Sequence, residues 1–215
     1  MSNITASLVK ELREKSGAGM MDCKSALQEV GGDLEKAIEV LRKKGLKDVG
    51  KRAGKVAAEG TIGTYVHAGS QVAAMVELNC ETDFVARGEE FQNIARDIAM
   101  HVAALRPSYV SVEDIPQQVI AKEEEIMLES LNEAQRAKAD KILPGKMKKF
   151  YEDSVLLAQA FVKDDSKSIQ QLIDELSAKV GEKVSVRRIA CMQVGEGVEK
   201  KKENLAEEVA ATIGG

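Results

Sequence analysis

The sequence predicts an α+β protein with three parts. These are an N-terminal three-helix bundle, a three-stranded antiparallel sheet with helices on one face, and a helical coiled-coil hairpin. Three observations carry that expectation. Residues 1–44 hold three short amphipathic stretches, each with a capping residue near its start and glycine at its end. Two alternating apolar runs, 61–66 and 72–78, flank a turn at Ala68-Gly69, and a third run lies far downstream at 184–194. Residues 116–152 repeat apolar positions at three-, four- and seven-residue steps within a charged background.

In the bundle, Thr5 caps the first helix, whose apolar side is Leu8, Val9 and Leu12, and Ser16-Gly17-Ala18-Gly19 stops it. Asp22 caps the second, with Ala26, Leu27 and Val30 inward and Gly31-Gly32 beyond. Asp33 caps the third, with Leu34, Ala37, Ile38 and Leu41 inward and Gly45 past its end. The division that follows is a bundle at 1–45, a linker at 46–59 and a body at 60–215. Lys47, Lys51, Arg52 and Lys55 with Gly50 and Gly54 make the linker basic, flexible and at most partly helical.

In the body, a helix at 89–105 places Phe91, Ile94, Ile98 and Val102 on one side, and another at 168–180 does so with Ile169, Leu172, Ile173 and Leu176. Val184, Val186, Ala190, Met192 and Val194 are expected on one face of the last strand, interrupted by Arg188. Within 116–152, Pro116 starts one helix and Pro144-Gly145 interrupts or delays the next. The hairpin projects from the body, or its helices simply pack on it.

Composition narrows the function. The net charge is −4, but residues 1–57 carry twelve Lys/Arg against eight Asp/Glu, so the body is the acidic part. That balance argues against direct nucleic-acid binding, and the basic linker lacks an aromatic for base stacking. No run of 18 apolar residues exists and the start has no basic or apolar leader, so neither a membrane span nor a secretory signal is expected. Three widely spaced cysteines fit a reducing compartment, with the cytoplasm as the default. His67 and His101 have no partner at metal-ligand spacing, and no phosphate loop, nucleophile elbow or nucleophile–base pair is visible. No cofactor or metal is expected. The pattern points to action by binding.

One stretch stands out, Asn79-Cys80-Glu81-Thr82-Asp83-Phe84-Val85-Ala86, because only 3% of the residues are aromatic and one of them sits at a turn. On residue chemistry alone, Thr82 caps a helix and Asp83 supports its first turn. Phe84 and Val85 are then either core or an exposed apolar contact.

Three segments resemble the elongation factor Ts family. They are the run from Leu12-Arg13-Glu14-Lys15 through Met20-Met21-Asp22-Cys23-Lys24, the run Glu81-Thr82-Asp83-Phe84-Val85-Ala86-Arg87, and Gly145-Lys146-Met147-Lys148-Lys149-Phe150 followed by Phe161-Val162. The resemblance implies a ubiquitin-associated-like bundle, a single core subdomain of the short form, and a coiled-coil protrusion. It implies guanine nucleotide exchange on elongation factor Tu, whose nucleotide-free and GDP forms are the partners. Thr82, Asp83, Phe84 and Val85 are then the residues that dislocate Mg²⁺ in the partner and release its nucleotide. Arg13, Met20, Met21, Lys24, His101 and Val162 are partner-binding.

The resemblance to a short form implies a homodimer as a further expectation, with Cys191 either at a subunit contact or an ordinary reduced thiol. Lys163 stands where relatives carry an apolar residue, and Pro144 is a second departure. Met20 and Met21 are an adaptable apolar contact or part of the bundle's own core. A ubiquitin-associated-like adaptor is the competing class, and it leaves the Asp83-Phe84 turn without a role.

Overall fold

The computed structural model describes residues 4–16, 18–52 and 54–198. Gly17, expected to help stop the first helix, lies outside the described residues, as do the side chains of Lys47 and Lys51. Helices α1 (Ala6–Ser16), α2 (Met20–Glu29) and α3 (Leu34–Arg52) form the N-terminal bundle. Its core is Val9, Leu12, Cys23, Ala26, Leu27, Ala37 and Leu41. The Thr5 hydroxyl accepts from Leu8 N–H, and the Asp33 carboxylate accepts from Lys36 N–H, as capping chemistry requires.

Two expectations for the bundle are corrected. Asp22 is not a cap, because α2 has already begun at Met20 with Gly19 extended before it. Asp22 sits in the first turn and pairs with Lys44 across 2.5 Å. Gly45 is not a stop either, and α3 passes through it to Arg52. The reason is tertiary: α3 crosses a later helix, α9 (Ile169–Val180), where a Cβ on Gly45 would come within 2.9 Å of the Ala178 Cβ. A glycine is kept there for approach between helices, at a helix-propensity cost of about 1 kcal/mol. The expected linker is thereby shortened and tied down. Arg52 donates to the Ser177 carbonyl, and Lys183 Nζ donates to the Lys55 carbonyl.

Strands β1 (Glu59–Val66), β2 (Val72–Cys80) and β5 (Ser185–Gln193) make an antiparallel sheet in the order β1-β2-β5. Helix α5 (Glu89–Leu105) lies across it, so close that a Cβ on Gly63 would collide with the Ala95 carbonyl. Val76, Leu78, Phe91, Ala95, Ile98, Val102, Ile169, Ile173, Leu176 and Val186 share one core.

The face predicted for β5 holds only for its first residues. Leu78 pairs with Val186 and Glu77 with Arg188, which leaves Arg187 as a bulge. One extra residue reverses the alternation. Val184 and Val186 face the core, but beyond the bulge Ile189 and Cys191 pack inward while Met192 and Val194 are exposed. Cys191 therefore lies under the sheet rather than on its outer face.

Helices α6 (Gln117–Glu129) and α8 (Ala139–Ser154) pack on each other, joined through the short α7 (Glu133–Arg136). Pro144 does not delay α8, which begins five residues earlier. Its first turn is closed by Ile142 N–H donating to the Lys138 carbonyl, so the proline removes a single interior bond. A small hairpin of β3 (Ala160–Phe161) and β4 (Asp164–Ser168) precedes α9 and has no clear sequence signal. Among the described residues no helix is long and apolar enough to cross a membrane.

Candidate functional site

The conspicuous stretch becomes a turn followed by α4 (Asp83–Ala86), between the end of β2 and the start of α5. Thr82 is the N-cap, in extended conformation, and its hydroxyl accepts from Val85 N–H at 3.5 Å. That bond is at the limit of useful length, so the cap alone holds the turn weakly. Stronger bonds come from two glutamates. Glu182 Oε2 accepts from the Glu81 and Thr82 N–H groups, both at 3.0 Å, and Oε1 accepts from the Thr82 hydroxyl at 2.6 Å. In return Glu81 accepts from Lys183 N–H at 2.7 Å and from Lys55 Nζ at 2.8 Å. Lys55, then the Lys183 N–H, hold the Glu81 carboxyl below its ordinary range.

Inside the turn, the Cys80 thiol donates to the Thr82 carbonyl. Burial, with the Glu182 carboxylate nearby, pushes that thiol up to about 11. It stays protonated near neutrality and is not a nucleophile. What the turn presents outward is Phe84, 85% exposed, while Ala86 is buried and Val85 packs partly into the core. Phe84 is thus not core. Asp83, half exposed, pairs with Arg87 at 3.1 Å.

Arg13, Met20, Met21 and Lys24 are all exposed, with Met21 at 75%. Lys24 follows Met20 by four residues and Met21 by three, so it lies beside each of them on α2. Both methionines are therefore outside the bundle's core. Arg13 and Lys24 make no ion pair with a described residue, so their charges are open to a partner.

His101, expected among the partner-binding residues, has no exposed surface in this chain. Its Nδ1 accepts from Val162 N–H at 3.3 Å, which leaves the proton on Nε2 to donate to Gln159 Oε1 at 2.9 Å. Burial holds its pKa below the ordinary histidine value, so it is neutral. Val162, exposed on the β3–β4 turn, is the surface that His101 supports. Lys163 is engaged with Asp97 at 2.9 Å. Among the described residues, no hydrogen bond or ion pair joins these three groups to one another.

Sequence reasoning passed over Glu182. An acid after a helix-ending glycine carries no signal in itself, and only the fold sets it against Thr82, a hundred positions earlier.

An exposed aromatic on a pinned turn, an exposed methionine pair on a small bundle and an exposed valine at a turn tip are the surfaces of a binding protein rather than the cleft of a catalyst. Comparison with known proteins makes this specific. The family model described as Elongation factor TS matches residues 3–196. The chain is 52% identical over 215 residues to elongation factor Ts of Desulforamulus reducens, covering 99% of each chain. It is 50% identical over 224 residues to that of Finegoldia magna, covering 100% of each, and 51% identical over 216 residues to that of Myxococcus xanthus, covering 100% of this chain and 99% of the relative. The chain belongs to the elongation factor Ts family.

Proposed function

We propose that this chain serves translation elongation in the cytoplasm as a guanine nucleotide exchange factor for elongation factor Tu, with Phe84 as the group that opens the partner's nucleotide site. The observation that supports the assignment to Phe84 is its exposure on a turn whose backbone is fixed by Glu182. A large apolar side chain held out in water gains about 1.5–3 kcal/mol on burial in a partner. A rigid mount directs that energy into separating elements of the partner rather than into ordering the factor itself.

Nucleotide in such a partner is held by backbone N–H groups around its phosphates and by a Mg²⁺ ion that retains several waters. Displacing those contacts requires no covalent step. Phe84 enters between helices of the partner, and Val85, rooted in the core below it, transmits the load to the sheet. Asp83 exchanges its exposed pair with Arg87, worth under about 1 kcal/mol, for a residue or water near the metal. Thr82 keeps the turn's shape.

The bundle adds affinity through Met20 and Met21, flexible apolar groups suited to an irregular surface, flanked by Arg13 and Lys24. Val162, supported from beneath by His101, makes the third contact. If the factor weakens GDP binding, GDP weakens factor binding equally, so the preferred partner is nucleotide-free. Incoming GTP then expels the factor.

A homodimer is part of this proposal. The sheet's outer face is uncovered and apolar, with Ile62, Val66, Met75, Met192 and Val194 exposed. Those side chains, and not Cys191, would carry the subunit contact.

The test is release of labelled GDP from elongation factor Tu with the factor at catalytic amounts. Strong acceleration is expected, and absence of acceleration by the unaltered chain ends this reading.

A further inference from the structure

We propose that Glu182 is a positioning residue for nucleotide exchange, a carboxylate that sets the aim of Phe84 by holding the backbone before it. The inference rests on the reading of Phe84 as the opening group.

The geometry is specific. Three donors converge on one carboxylate: two consecutive main-chain N–H groups on Oε2 and the Thr82 hydroxyl on Oε1. They fall on the two residues immediately before Asp83-Phe84, where a small change in backbone direction is carried into the position of the aromatic ring. The Thr82 hydroxyl's own bond to Val85 N–H, at 3.5 Å, adds little to this hold.

Glu182 is itself fixed at its main chain. Gly181 ends α9 in the left-handed conformation, at φ 76°. Ser177, buried in the last turn of that helix, donates its hydroxyl to the Glu182 carbonyl at 2.5 Å. The mount of Phe84 is therefore the C-terminal end of α9. The same helix bears the crossing with α3, including Arg42–Glu175 at 3.4 Å. One helix thus carries both the bundle and the turn.

Bond geometry and charge make opposite predictions for substitutions. Glu182→Gln keeps a carbonyl oxygen for the two N–H groups, offers the Thr82 hydroxyl an amide N–H to accept in place of the oxygen it donates to, and loses the charge. Glu182→Asp keeps the charge and is one methylene too short to reach all three donors. The experiment measures GDP release from elongation factor Tu at saturating factor, together with affinity for the nucleotide-free partner. It uses the full chain carrying Glu182→Ala, Glu182→Gln or Glu182→Asp, with and without Phe84→Ala.

The expected result is a maximal rate lower by roughly tenfold or more for the Ala and Asp variants, because a misplacement near 1 Å costs up to about a hundredfold in positioned chemistry. The Gln variant stays within about threefold of the unaltered chain, and affinities change less than rates. In the Phe84→Ala background, Glu182→Ala adds almost nothing, because both act through one side chain. Amide hydrogen exchange at Glu81 and Thr82 accelerates in the Ala variant while β2 stays protected.

A fully active Ala variant beside an impaired Phe84→Ala overturns the role of Glu182 and leaves the reading of Phe84 standing. Active Asp with inactive Gln overturns it in favour of charge, and additive effects of Glu182→Ala and Phe84→Ala overturn action through Phe84. If Phe84→Ala is itself fully active, the underlying reading fails first. Should the Ala variant not fold, the Gln and Asp pair decides.

Discussion

Val162 N–H donates to His101 Nδ1 across 3.3 Å, so an exposed turn residue is held by a ring that water does not reach. The acceptor role requires a neutral ring. Protonation would set an N–H against the Val162 N–H and place a charge beside Phe161, 6.2 Å away between ring centres. Burial accordingly keeps the folded-state pKa below the ordinary 6.5. As pH falls, the unfolded chain binds the proton first, so this contribution to stability is complete above 6.5 and is lost as pH falls towards the folded-state value. Denaturant unfolding at a series of pH values is expected to show declining stability below 6.5, and His101→Gln is expected to remove that part of the slope. At pH 8 the same substitution should cost about 1–3 kcal/mol, because it breaks a buried hydrogen-bonded pair with Gln159. An unchanged slope in the variant would assign the decline to other groups.

Phe84 and Val85 are neighbours with opposite duties, and substitutions separate them. Phe84→Ala removes a side chain that is 85% exposed, so unfolding free energy should stay within about 0.5 kcal/mol of the unaltered chain while GDP release is greatly slowed. Val85→Ala removes methyl groups packed on the core and should cost about 1–2 kcal/mol of stability. Asp83→Ala should also slow release, with stability nearly unchanged because its pair with Arg87 is exposed. Loss of stability in Phe84→Ala matching that in Val85→Ala would return the aromatic to a structural role.

The parts that local pattern specifies are those the sequence made legible. α5 and α9 have one apolar side each, and the cap at Ser168 is a hydroxyl three residues before a glutamine, so both their existence and their bounds could be read. The turn at Thr82 was legible because a rare aromatic stood beside a cap. What could not be read depends on residues far apart in the chain. Gly45 looks like a helix stop until Ala178 is placed against it, and the β5 alternation looks continuous until β2 imposes the bulge at Arg187. The place of His101 on α5 does not reveal that Gln159 and Val162 close over it. Glu182 gave no hint at all, since its role exists only where α9 ends beside the turn.

The crossing of α3 and α9 leads to a test of how the bundle is seated. Gly45→Leu gains about 1 kcal/mol of helix propensity, but the new Cβ would stand 2.9 Å from that of Ala178, and overpacking of this kind costs about 1–3 kcal/mol. Packing wins, and α3 is expected to lift from α9. Limited proteolysis should then cut more readily between residues 45 and 59, and affinity for elongation factor Tu should fall more than the maximal exchange rate. Ala178→Gly in the same chain should restore both in part, because it removes the Cβ that the new one meets. A rate loss without an affinity loss would mean that the bundle contributes to opening the nucleotide site rather than to holding the partner.

The uncovered sheet face makes the last prediction. Met75 lies opposite Ala190 and Ala73 opposite Met192, so the two methionines stand on adjoining strands of one apolar surface. Met192 is 74% exposed, which is costly for a large apolar group in an isolated chain but not in a subunit contact. Light scattering is expected to report twice the mass of one chain, and Met75→Lys with Met192→Lys is expected to reduce it to one, since paired lysines cannot be buried without partners. Reductant should make no difference, because Cys191 is on the core side of β5. A monomer at all concentrations, or a dimer that only reductant dissolves, would remove this face from the assembly. If the lysine variant is monomeric yet still exchanges nucleotide, Phe84 works from a single chain and the sheet contact serves stability alone.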